Sequence, residues 1–188
     1  MNMNWKKLIL STCLCLFISF VPACAETIKL NEEQSKLNYT LSCLGIPIKK
    51  KALPASGQID VERFDSQTSE KIQLKGLKLT VKFTSKNPLF RKTIDYDKYP
   101  DFKFFSDLDK PLLLQNRKLT ELTGDLSFHG VTKKITIKLK NKSEGDLVSL
   151  IGFLNIKMTD FEIIPPRILF IFVDNVIKTK VELYAVVK

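Results

Sequence analysis

The stretch Lys71–Phe83, "KIQLKGLKLTVKF", decides the fold class. Its apolar residues fall at every second position, Ile72 and Leu74 and then Leu77, Leu79, Val81 and Phe83, separated by lysine, glutamine and threonine. Successive side chains of a strand point to opposite faces, so this spacing predicts a strand with one face buried and the other in water. The phase changes once, at Gly76. An extra residue in a strand re-aims every later side chain, so the change predicts a β-bulge there.

Outward from this segment the alternation recurs. Leu37, Tyr39, Leu41 and Cys43 form one face, and Gly57, Ile59 and Val61 another. Phe102 with Phe104, Leu126 with Phe128, and Ile135, Ile137 and Leu139 follow. Val148, Leu150, Gly152, Leu154, Ile156 and Met158 make the longest face, and Ile177, Thr179, Val181, Leu183 and Ala185 close the chain. Eight or so strands joined by short polar turns predict an all-β antiparallel barrel or sandwich. The exception is "KNPLFRKTIDYDKYP" (Lys86–Pro100), which opens on Asn-Pro and stops at Tyr99-Pro100. It predicts a short helix or ordered loop near residues 86–100, at one mouth of the barrel. With no repeat, low-complexity tract or linker, residues 26–188 are expected to form one domain.

Residues 1–25 have a different character. Lys6 and Lys7 precede the uncharged apolar run Leu8–Val21, and Ala23-Cys24-Ala25 supplies small residues, the pattern of a cleaved signal peptide ending at Ala25. A helix of that run would rise only about 21 Å, short of the ~30 Å bilayer core, which argues against a permanent span. Export to the periplasm or beyond is the expectation. The alternative is a lipoprotein anchored through an acylated Cys24 in "VPAC".

Cleavage would leave Cys43 as the single cysteine and His129 as the single histidine, too few for an internal disulfide or a zinc cluster. The formal charge would fall from +10 to +8 with Lys6 and Lys7. The remaining lysines are dispersed, with "KKK" at Lys49–Lys51 the one compact run. Such a surface points away from nucleic acid and toward simple solvation or transient contact with anionic membrane lipid.

Two groups carry side chains that could serve catalysis, His129 with Ser127 and the acids of the Asp95–Asp101 segment. His129 lies two residues from Ser127, a spacing that puts both on one side of an alternating strand. Gly130-Val131-Thr132 reads as a turn, however, which places His129 at an exposed strand end without a visible pocket or orienting partner. Asp95, Asp97 and Asp101 sit in a polar, lysine-rich segment and read as solvated or ion-paired acids. No catalytic residue, metal site or cofactor is expected.

Several motifs occur in a telling order: "SKLNYTLSCLGIPI" (Ser35–Ile48), "SGQI" (Ser56–Ile59), "YPDFKFFS" (Tyr99–Ser106), "LTGDLSFHGVTKKITI" (Leu122–Ile137), "GFLNIKMTDF" (Gly152–Phe161) and "VDNVIKTKVELYA" (Val173–Ala185). Together the chain resembles the YceI-like family of exported bacterial polyisoprenoid-binding proteins. The resemblance implies an extended, lipocalin-like antiparallel barrel of eight strands. It also implies a non-catalytic role in binding, storing or transporting an amphipathic lipid: a polyisoprenoid, an isoprenoid quinone, or a fatty acid or amide. The alternatives are a lipid-modifying enzyme using His129 or the Asp95 and Asp97 loop, and a filled barrel acting as an envelope stress or interaction protein. A bound isoprenoid or fatty-acyl chain is the expected ligand and a dimer one of the open oligomeric states.

The chain departs from the family in "TDFEIIPP", where Glu162 stands in place of an expected glycine. The family's arginine-aspartate pair ahead of the short helix is also missing, the local sequence being "LFRKTID" (Leu89–Asp95). Pro165 and Pro166 rule out a regular central strand, leaving "IIPPRILFIFV" (Ile163–Val173) as a packed crossover or an apolar flap. If the apolar face of each strand points inward, the cavity candidates are Tyr39, Leu41, Ile59, Val61, Leu79, Val81, Phe83, Phe102, Phe104, Phe128, Ile137, Leu154, Ile156, Val181 and Leu183. A packed core has the same alternation as a ligand tunnel, so whether the barrel is hollow stays open.

Overall fold

A computed structural model describes residues 26–64, 71–84, 88–168 and 171–186; the expected leader, residues 1–25, lies outside the described residues. The elements in chain order are β1 (Glu26–Lys29), β2 (Lys36–Cys43), β3 (Ile46–Phe64), β4 (Lys71–Lys82), helix α1 (Pro88–Thr93), β5 (Asp101–Gln115), β6 (Leu119–Phe128), β7 (Val131–Asn141), β8 (Leu147–Lys157), a 3₁₀ helix (Met158–Phe161), β9 (Arg167–Ile168), β10 (Ile171–Phe172) and β11 (Val176–Val186). Eight of the strands run antiparallel in the order β3-β2-β11-β8-β7-β6-β5-β4, and β4 pairs back with β3 to close the barrel. Closure leaves neither β3 nor β4 as a free outer edge, which suits a wall built from long strands.

β3 serves two neighbours along one edge. Its first part pairs with β2, from Cys43↔Ile46 to Lys36↔Pro54, and its second part with β1, from Lys29↔Gln58 to Glu26↔Val61. β9 and β10 form a separate two-stranded hairpin. The expected bulge is present, since the β3–β4 ladder passes from Leu74 directly to Gly76 while their partners, Val61 and Asp60, are consecutive. Lys75 is the extra residue, and its Nζ donates to the Asp109 carbonyl at 3.0 Å. Both Leu74 and Leu77 are consequently buried despite their odd spacing. The gap in the strand pattern is filled by α1 and the turns that follow it.

One turn differs from expectation. The β6–β7 connection is the two-residue turn His129–Gly130, with φ of 52° and 76°, while Val131 and Thr132 already belong to β7. A two-residue turn with positive φ at both positions matches the twist of the strands it joins. A glycine at the second position adopts that angle without steric cost. Thr132 is therefore a strand residue, and its Oγ1 shares a 2.7 Å hydrogen bond with Ser127 Oγ across the hairpin.

Deep in the barrel, large side chains meet small ones. Gly124 lies under the Phe104 ring, and a Cβ there would come within 2.5 Å of Phe104 Cζ. A Cβ on Gly152 would lie 2.6 Å from Val181 Cγ1 and 3.2 Å from both Ile137 Cγ2 and Leu139 Cδ2. The two glycines make room for large side chains of the neighbouring strands on the inner face, as close packing requires. The end of the barrel near the β7–β8 connection is sealed by buried polar groups. Ser143 N–H donates to Asn141 Oδ1 at 2.9 Å, and Ser149 N–H to Ser143 Oγ at 3.0 Å.

Overpacking a filled interior typically costs about 1–3 kcal/mol. Gly124→Ala and Gly152→Ala should each lower unfolding free energy by that amount in urea titrations; midpoints equal to the parent's would show that the interior yields freely.

Candidate functional site

The opposite end gathers four connections: the Leu44–Gly45 tip between β2 and β3, the α1 segment, the His129 turn, and the long return from the 3₁₀ helix to β11. Beneath them is a cavity of about 40 Å3, lined by Leu37, Tyr39, Leu41, Leu53, Phe83, Ile94, Phe102, Phe128, Ile156, Ile177 and Thr179. Its lining has two side-chain polar groups. Thr179 Oγ1 donates to the Leu154 carbonyl at 2.8 Å, and burial pushes the Tyr39 phenol above its usual pKa.

Aromatic rings form its roof. Phe83 lies 6.2 Å from Phe102 and 5.8 Å from Phe128, and Phe128 in turn 5.7 Å from Phe161. One water occupies about 30 Å3 of liquid and a ligand pocket usually 300–1,000 Å3, so the cavity as packed admits roughly one small group. A longer chain enters only if these rings move.

The residues expected at a cavity are distributed as follows. Tyr39, Leu41, Phe83, Phe102, Phe128 and Ile156 line it. Ile59, Val61, Leu79, Val81, Phe104, Ile137, Val181 and Leu183 are buried in the hydrophobic core without lining it. Leu154 is half-buried and lines a separate groove on the outer wall. Leu37, Leu53, Ile94, Ile177 and Thr179 complete the lining. Leu37, Ile177 and Thr179 lie in phase with residues already singled out, whereas Leu53 follows a lysine run and Ile94 sits outside any strand.

His129 is half-buried rather than at an exposed strand end, because the turn folds it against the 3₁₀ helix. Its Nδ1–H donates to the Phe161 carbonyl at 3.0 Å, and its ring lies 5.0 Å from that of Tyr99. Ser127 is engaged with Thr132, so the two residues are held by different partners. Asp97 pairs with Arg91, whose guanidinium also lies 4.1 Å from the centre of the Tyr96 ring, and Asp101 pairs with Lys103. Among the described residues no three His, Cys, Asp or Glu side chains converge as a metal site.

The return to β11 forms the rim. Glu162 adopts the left-handed conformation, φ 58° and ψ 22°, that a glycine takes freely. Ile163 beyond it is buried while Ile164 is 84% exposed. The Arg167 guanidinium lies 4.4 Å from the centre of the exposed Phe172 ring. Asp174 ties this segment to the β2–β3 tip, accepting from Gly45 N–H at 3.0 Å and donating its own N–H to Ser42 O at 2.7 Å. Leu44, at 85% exposure, therefore stands beside the same rim. The segment is anchored in the core at its two ends by Ile163 and Val173, beside which Ile164 and Phe172 face outward.

Comparison with known proteins places these features in context. Residues 29–188 match the YceI-like domain. UPF0312 proteins from two strains of Pseudomonas putida are 44% identical over 52 residues, 28% of this chain and 26% of the relatives' length. The matched stretch thus spans about a quarter of those relatives. Among solved structures, BcnA from Burkholderia cenocepacia aligns with a TM-score of 0.63 at 18% identity, over 83% of this chain and 99% of its own. A polyisoprenoid-binding domain from Saccharophagus degradans, implicated in plant cell wall breakdown, aligns with a TM-score of 0.57 at 12% identity, over 88% of this chain and 100% of its own. At these identities the two structures establish the shared barrel fold.

A non-glycine residue held in the left-handed region costs roughly 1–2 kcal/mol. Glu162→Gly should therefore stabilise the protein by about 1 kcal/mol in thermal or urea unfolding, after the added flexibility of the unfolded chain is subtracted; unchanged or lower stability would mean that the glutamate contributes more than its backbone loses.

Proposed function

The chain belongs to the YceI-like family, and we propose that it is a non-catalytic carrier that binds the apolar chain of an amphipathic lipid at the barrel mouth. The lipid class is a polyisoprenoid, an isoprenoid quinone, or a fatty acid or amide. The observation that carries this reading is the cavity beneath Phe83, Phe102 and Phe128, whose lining is apolar apart from the Tyr39 and Thr179 hydroxyls. The family, and a structural neighbour described as polyisoprenoid-binding, support it.

Energetics favour opening of this roof by a chain. Each buried methylene contributes roughly 0.8 kcal/mol, against about 0.5–1.5 kcal/mol for each aromatic pushed off its rotamer, so a few methylenes offset the movement of the rings. Binding driven this way needs few polar contacts and discriminates weakly between chains of similar shape. The exposed Leu44, Ile164 and Phe172 would make the mouth the face that meets a membrane during loading. The leader pattern supports a place of action in the periplasm or outside the cell, either free after cleavage at Ala25 or tethered through Cys24.

A second reading, a filled barrel that serves as an interaction protein, is favoured by the small volume of the cavity. The two separate cleanly. Organic extraction of protein purified from its native envelope, followed by mass spectrometry, should yield a chain lipid. An empty extract, together with no uptake of farnesol or decanol by the purified protein, would replace the carrier with the filled barrel. Incubation of the loaded protein should return the lipid unchanged; a modified product that disappears in His129→Ala would make it an enzyme.

A further inference from the structure

The barrel wall is not uniformly sewn. β7 and β8 pair only over Lys138–Asn141 against Leu150–Phe153, although β7 begins at Val131 and β8 continues to Lys157. From Val131 to Ile137 the ladder holds β7 to β6 on one side alone. This seam is bounded below by the pair Lys138↔Phe153 and above by the His129–Phe161 hydrogen bond. A groove of about 620 Å3 opens over it on the outer wall.

We propose that this seam seats the anionic headgroup of the carried lipid, a phosphate or carboxylate, while the chain passes inward to the apolar cavity. The inference rests on the carrier reading above and adds to it the headgroup's charge and its place. The two spaces adjoin, since Thr179 lines both, and the half-buried Leu154 faces the groove from the β8 side.

The groove's charge is one-sided. It is lined by Lys138, Lys178 and Lys180 and by no acidic residue. Lys180 is the lysine already engaged, with Glu182, whose carboxyl is held below its usual pKa by the hydrogen bond from Lys180 and, less strongly, by the one from Lys36. Among the described residues no carboxylate lies within ion-pair distance of Lys138 or Lys178, Glu121 opposite Lys138 included. In the sheet, Phe153 stands directly between Lys180 and Lys138. An aromatic residue flanked in register by two lysines, beside the half-buried Leu154, suits a junction between headgroup and chain.

The test compares decyl phosphate, decanol and inorganic phosphate by calorimetry at low salt. One arm uses the parent protein, one Lys138→Gln/Lys178→Gln, and one Lys75→Gln/Lys118→Gln, which removes the same charge elsewhere. Two partly exposed charge contacts amount to about a tenfold preference. Decyl phosphate should bind the parent about tenfold more tightly than decanol. That advantage should vanish in Lys138→Gln/Lys178→Gln with decanol affinity unchanged, and persist in Lys75→Gln/Lys118→Gln.

An advantage that survives Lys138→Gln/Lys178→Gln, or is lost equally in both double variants, overturns the assignment. So does a parent that binds decanol and decyl phosphate alike, which would leave the carrier intact. Inorganic phosphate binding as tightly as decyl phosphate would make the seam a free-anion site and sink the headgroup assignment. Failure of both amphiphiles to bind removes the carrier reading and the seam with it.

Discussion

The β3–β4 ladder, which joins the two ends of an eight-stranded sheet, is the interaction on which the rest of the structure depends. Without it the sheet would have two exposed edges, and its apolar face would have no opposite wall to meet. With it, the inward residues of every strand converge on one axis and must divide a fixed interior volume among themselves. The length of β3 makes this closure workable, because one continuous strand supports β2 at the mouth and β1 further down.

How that volume is divided sets what the protein can do. Below the mouth, Phe104 over Gly124 and Val181 over Gly152 fill the axis. At the mouth the strands end in loops instead of in further rungs, and the rings of Phe83, Phe102 and Phe128 cover what little space remains. A close-packed floor changes shape at high cost, whereas an aromatic roof anchored by loops yields more readily. Under the carrier proposal, this geometry directs binding to one end. His129, which looked like a residue of chemical interest, serves there as a bolt between the β6–β7 turn and the 3₁₀ helix.

Much of the fold was legible in the sequence because strand burial has a period of two. The alternation at Ile72, Leu74, Leu77 and Leu79 located both a strand and its bulge, and the Asn-Pro to Tyr-Pro interval located α1. The family resemblance carried the count of eight strands and the barrel closure. The division of the interior was not legible: Phe104 and Phe102 have the same alternation, but one meets a glycine on the neighbouring strand β6 and the other a cavity. That difference lies in strand pairing and register, which local sequence does not encode. Ile94 was missed because it lies outside any strand, and the seam between β7 and β8 because strand length does not reveal where pairing stops. The His129–Gly130 turn was misplaced because the threonine that follows it looked like turn chemistry and is in fact a strand partner of Ser127.

Methyl-resolved NMR during titration with decanol tests the central claim most directly. The carrier proposal predicts shifts concentrated at Leu37, Leu41, Leu53, Ile94, Ile156 and Ile177, with Ile59, Ile72 and Leu122 unmoved. Shifts led by the deep residues, or none at any methyl, would contradict binding at the mouth.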